Sequence, residues 1–117
     1  RARLRNSKNI ILFLSSNTVN SRALREEIEY GINELKLPII VIYPEFSTKE
    51  DLLTNDKKNL NSKITNLWSK LPVFRDNKYK VPVLHIPMNK ELIRLSLNNS
   101  DFRSGSNKTP DDYSYKN

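Results

Sequence analysis

Two short stretches, Ile10-Ile11-Leu12-Phe13-Leu14 and Pro38-Ile39-Ile40-Val41-Ile42-Tyr43, are apolar or aromatic from end to end. A continuous run of this kind, rich in β-branched residues, has no wet face to offer and predicts a strand covered on both sides. The first run is ended by Ser15-Ser16-Asn17 and the second by Pro44. Between them Leu24, Ile28, Ile32 and Leu35 recur at helical spacing and form one apolar stripe. Asn20 or Ser21 stands where that helix needs an N-cap. Two doubly covered strands joined by an amphipathic helix require a parallel pair, because only a crossover returns the chain to the same end of the sheet.

The pattern continues. Leu60, Ile64, Leu67, Trp68 and Leu71 fall on one helical face, with Pro72 predicted to stop it. In the connection before it, Ser47 and Glu50 have capping-box spacing. Val81-Pro82-Val83-Leu84-His85-Ile86 predicts a third strand, and its proline, which lacks a ladder donor, suggests an edge position. Asn89 caps a last helix through Leu92, Ile93 and Leu97. The whole is an α/β domain, a three-layer parallel sheet flanked by helices, over residues 1–102. After Asp101 the apolar period is lost, so 103–117 is expected to be a loose or docked C-terminal tail carrying Tyr113 and Tyr115. Three strands make a small sheet, and the basic stub Arg1 to Lys8 looks like the end of an earlier helix. A sheet lacking its N-terminal strands is therefore expected.

At 117 residues the chain holds one domain. It has no cysteine, which excludes disulfides and thiolate chemistry. No apolar run is long enough to cross a bilayer, and the start lacks a signal peptide's hydrophobic core, so a cytoplasmic protein with no membrane partner is expected. The net charge is +7, with basic residues gathered at the start and from Lys57 to Lys80. They are neither interleaved with stacking aromatics nor set on one reading helix, so a solvated basic face is expected rather than a nucleic-acid partner. Only two glycines occur, which argues against a phosphate-binding glycine loop.

Ligands of open α/β sheets bind at the carboxyl ends of the strands. Those ends carry Ser15, Ser16, Asn17 and Thr18 after the first strand, Tyr43 and Glu45 after the second, and His85 in the third. Each is equipped to hydrogen-bond a sugar or phosphate. Each also has a plain structural explanation, since serine and asparagine cap helices and a lone histidine at a strand end is commonly a satisfied structural group. Glu27 lies roughly 100° from Ile28 around the helix, at the boundary of the apolar stripe in the second turn. Its neighbour one turn on is Gly31, whose cost in a helix is about 1 kcal/mol relative to alanine and which allows close approach of another element. Geometry alone leaves a solvated glutamate and a functional one both open.

The segment KNIILFLSSNTVNSRALREEIEYGINELKLPIIVIYP resembles the central part of a TIR domain, in which a strand ending in a Leu-Ser-rich loop leads to a Ser-x-Trp-Cys-x-x-Glu-Leu helix and a Pro-Ile-Ile-Val strand. Within that superfamily it is most similar to the TIR-like proteins of the bacterial Thoeris antiphage system, the ThsB type. The shared segments are Ser15-Ser16, Glu27-Ile28-Glu29-Tyr30-Gly31-Ile32 and Leu84-His85-Ile86-Pro87, and the resemblance spans about residues 4 to 102. On this likeness the motif serine falls on Ser21 and the catalytic glutamate on Glu27, while Ala23 and Leu24 replace the motif's tryptophan and cysteine.

The resemblance implies a flavodoxin-like, TIR-like fold and cleavage of the nicotinamide–ribose bond of NAD, which is a substrate, with no cofactor and no metal. The product would be a cyclic ADP-ribose-type signal that diffuses to a separate effector in antiviral defence. Glu27 would be catalytic, and Ser15, Ser16, Asn17, Ser21, Tyr43 and His85 would bind substrate. Self-association is expected. The alternative is a non-catalytic TIR-like scaffold acting by self-association or partner docking, which a buried, salt-bridged Glu27 would favour.

Overall fold

The structure is a computed structural model that describes residues 7–115. Strand β1 (Ile10–Phe13) leads to helix α1 (Arg22–Asn33) and strand β2 (Ile39–Tyr43). Helices α2 (Ser62–Leu67) and α3 (Pro72–Asn77) follow, then strand β3 (Val83–Pro87), helix α4 (Lys90–Leu97) and strand β4 (Asp112–Ser114). All strand pairs are parallel and lie in the order β1-β2-β3-β4. This is an α/β fold consistent with a TIR-like, flavodoxin-like domain.

The two sheet faces carry two cores. One face presents Ile10, Leu12, Ile39, Val41, Tyr43 and Val83 to Ile28 and Ile32 of α1, Ile64 of α2 and Phe74 of α3. The other presents Ile40, Ile42, Leu84 and Ile86 to Ile93 of α4 and Phe102. Each fully buried aliphatic side chain contributes roughly 1.5–3 kcal/mol, and β2 and β3 are the strands buried at every position.

Several expectations are corrected. β1 is covered on one face only: Ile10 and Leu12 are buried, whereas Ile11 is 38% and Phe13 53% exposed. β3 is an interior strand. Pro82 precedes the first ladder residue, so its missing donor costs nothing, while its carbonyl accepts from Ile39 and the Val83 amide donates to Asp111. The long helix expected from Leu60 to Leu71 is the short α2 followed by a 3-10 turn over Trp68–Lys70, and α3 begins only at Pro72. Pro72 does not only stop the first; it stands at the start of α3, where a missing N–H is harmless. The capping box is one residue later than expected, with Thr48 and Asp51 as partners. Ser21 and Asn89 cap α1 and α4.

The tail docks. Residues 112–114 form β4 against β3, and Tyr113 packs edge-on against Phe102 with ring centroids 5.8 Å apart. The basic stub Arg1 to Lys8 lies outside the described residues up to position 6.

Candidate active site

The strand-end loop after β1 is built from its own hydrogen bonds. Ser15 N–H donates to Thr18 Oγ1 at 2.8 Å, Asn17 N–H to Ser15 Oγ at 3.2 Å, and Thr18 N–H to the Ser15 carbonyl at 3.1 Å. Glu45, after β2, receives the Ser16 amide at 2.8 Å and the Ser16 hydroxyl at 2.5 Å. These two donors hold the Glu45 carboxyl below its usual range. The pair ties the two strand ends together, and Ser16 is engaged by it. Ser21 Oγ accepts from the Leu24 amide at 3.2 Å as the α1 cap. Asn17 is exposed.

Tyr43 and His85 are not at the surface. They are 0% and 1% exposed and belong to a chain of polar contacts inside the first core. Trp68 Nε1–H donates to the Tyr43 hydroxyl at 2.9 Å, and that hydroxyl is 2.7 Å from His85 Nδ1. His85 Nε2 is 2.8 Å from Asp112 Oδ1, and Lys78 Nζ reaches Asp112 Oδ2 at 2.5 Å. The directions follow from counting protons. A phenol has one proton, so Tyr43, accepting from Trp68, donates to Nδ1, and the ring proton of His85 sits on Nε2 and goes to Asp112. A second proton on the imidazole would leave the Tyr43 hydroxyl proton with no acceptor in a sealed site. His85 is therefore neutral, in agreement with burial driving its pKa down against the opposing pull of Asp112. Burial likewise drives the Tyr43 pKa far up.

The rings add to the cluster: Tyr43 and Trp68 both stack on His85, at 5.8 and 5.5 Å, and Lys78 lies 4.2 Å over the indole. With both polar ends satisfied, neither Tyr43 nor His85 presents a free group to a substrate. The strand ends that carry them are covered in part by Trp68, from the turn after α2, which stacks on His85 and donates to Tyr43.

Glu27 has a different setting. It is half-buried and lines a cleft of about 310 Å³ between α1 and the outer edge of β1, with Ser7, Asn9, Ile11, Leu24 and Ile28. Arg22 pairs with Glu26 at 3.0 Å, and Arg25 donates to the Asn20 carbonyl at 2.7 Å. Gly31 is buried one turn on, where α1 packs against α3. The predicted residues thus fall into three places: Glu27 in the β1 cleft, Ser15, Ser16, Asn17 and Ser21 in the strand-end loops, and Tyr43 with His85 in the core.

The family model for the TIR-like domain of Thoeris protein ThsB matches residues 1–49. Over that segment the chain is similar to a ThsB-type TIR-like domain. The matched part runs through β1, α1 and β2, and so contains Glu27, the serine loop and Glu45. Trp68, Lys78, His85 and Asp112 lie beyond the match. Sequence reasoning missed three of these four as a polar set: Trp68 read as one more residue of an apolar stripe, and Lys78 and Asp112 carry no local mark of partnership. Among the described residues no group of three His, Cys, Asp or Glu side chains is placed to hold a metal, and no helix is long and apolar enough to cross a membrane.

Proposed function

We propose that this TIR-like domain processes NAD in antiphage defence, with Glu27 as the catalytic carboxylate. The observation that carries the reading is the half-buried position of Glu27 in the β1–α1 cleft, inside the segment matched by the ThsB family model. The bond to be broken joins the ribose anomeric carbon to the nicotinamide nitrogen. Its electron pair leaves on nitrogen, so nicotinamide departs neutral and needs no general acid. Positive charge then develops on the ribose ring, as in glycoside hydrolysis, and an ionised carboxylate beside it lowers the barrier. Capture by a nucleophile within the ADP-ribose closes a cyclic signal for a separate effector; capture by water, with loss of a proton, gives linear ADP-ribose instead. Ser15, Asn17 and Ser21, at the positive end of α1, suit the ribose hydroxyls or phosphates.

Nicotinamide release, followed by chromatography at high protein concentration for the wild type beside Glu27→Gln, tests this. Loss of release in a variant with unchanged circular dichroism supports catalysis. Equal rates in the two proteins remove Glu27 from the chemistry.

A specific observation favours a second reading, a scaffold acting by association. Ile11 and Phe13 are exposed on β1. Ile10 and Leu14 spend their amides on Pro38 and Ile42 of the β2 side, so the alternate amides of Ile11 and Phe13 point to the outer edge, as alternation in a strand requires. No strand among the described residues covers that edge. Wild-type protein that associates but never releases nicotinamide would select this reading.

A further inference from the structure

We propose that the C-terminal segment is a detachable strap: β4 is clamped to β3 by the single carboxylate of Asp112, bridging His85 and Lys78, and leaves the sheet without unfolding the three-stranded body beneath it. Four observations carry this. β4 is three residues long and half-buried throughout, whereas β2 and β3 are buried at every position. Among the described residues its only neighbour in the sheet is β3, so its departure breaks no other ladder there. Asp112 makes both of its side-chain contacts across the gap to the body, to His85 Nε2 at 2.8 Å and Lys78 Nζ at 2.5 Å. Finally, the clamp borders an open cleft of about 620 Å³ lined by Trp68, Thr65, Asp112 and Ser114, so water reaches the groups that release would uncover.

Tyr113 is the second point of attachment, packed on Phe102, with its hydroxyl donating to Thr109 within the same segment at 2.8 Å. That contact moves with the strap on one side only. Release would bare the outer edge of β3 and convert His85 from a sealed neutral ring to an ordinary one. The first core keeps its apolar contacts, because every apolar residue of that core lies between Ile10 and Val83, while the second core gives up Tyr113 and Tyr115, which pack against it.

The groups facing His85 are Tyr43 from β2, Trp68 and Lys78 from the turns after α2 and α3, and Asp112 from β4. Attachment needs neutral His85 and ionised Asp112. Burial depresses the His85 pKa below 6.5. For Asp112, burial acts upward, but the hydrogen bonds and charges of His85 and Lys78 hold it below its usual 3.8. Both shifts have one sign: the detached state takes up protons, so acid favours release.

Hydrogen exchange on the whole chain, read by mass spectrometry or NMR, tests the strap. The Val83 amide, which donates to the Asp111 carbonyl, and the Tyr113 amide report on attachment; amides of β1 and β2 report on the body. In Asp112→Ala the first pair should exchange about tenfold faster or more, as sub-global opening does, with β1 and β2 unchanged and the emission of Trp68, the chain's one tryptophan, shifted to the red. Asp112→Asn, which keeps an acceptor for His85, should fall between. Wild-type protein compared at pH 7 and pH 5, with rates corrected for intrinsic chemistry, gives the same contrast without any substitution. Unchanged Val83 and Tyr113 protection in the variants, or equal loss of protection in β1 and β2, overturns the strap.

Discussion

The two edges of the sheet are finished by opposite means. At β1 Ile11 and Phe13 are exposed, and a carboxylate, Glu27, shares a cleft with Ile11. At β4 the edge is short and polar, held by a carboxylate that is fully engaged with His85 and Lys78. A free edge invites pairing with another chain, and proteins blunt it with short strands and charge. The β4 edge is blunted in this way and the β1 edge is not. The first edge leaves apolar side chains exposed, and the last edge is closed on itself.

That contrast can be broken. The largest effect belongs to Glu27→Gln, which should lower nicotinamide release about 100-fold or more, the magnitude of losing a transition-state electrostatic partner, with the thermal midpoint little changed. Steady-state turnover beside a thermal melt checks both halves. Next is Tyr43→Phe at the closed side. It removes the acceptor of Trp68 Nε1–H and the donor to His85 Nδ1, leaving buried groups unsatisfied, and should cost about 2–3 kcal/mol in urea unfolding.

Acidification sharpens the same comparison. The stability that neutral His85 contributes is present above pH 6.5, its ordinary value, and is lost as pH falls through the depressed folded value; Asp112 adds its own loss further down in acid. Protection at β4 should therefore fail before protection at β1 as the pH is lowered. The smallest effect is expected from Phe13→Ser on the open edge. Half-exposed already, it should change stability by only about 0.5 kcal/mol, while reducing any concentration-dependent association seen by analytical ultracentrifugation.

Much of the fold was legible because its signals are local. Ser21 and Asn89 are caps, and Leu24, Ile28 and Ile32 are a stripe, for reasons that reach no further than four residues. The failures share a cause too. The break at Trp68–Lys70 and the start of α3 at Pro72 depend on where Trp68 must point to reach Tyr43, 25 residues earlier in the chain. β4 was missed because three residues, Asp112-Tyr113-Ser114, have no period to show. Of the candidate site, Glu27 and the serine loop were found at the surface where the pattern placed them, and Tyr43 and His85 were found turned into the core.

Period, capping chemistry and composition, all properties of short stretches, sufficed to make this chain an α/β domain with a parallel sheet and a boundary glutamate on its first helix. Which strand became an edge, which polar residues were sealed and which stayed open required contacts between residues 27, 34 and 42 positions apart. No local pattern encodes such pairs. They exist only once the sheet brings β2, β3 and the tail side by side, and burial then makes each polar atom find its partner.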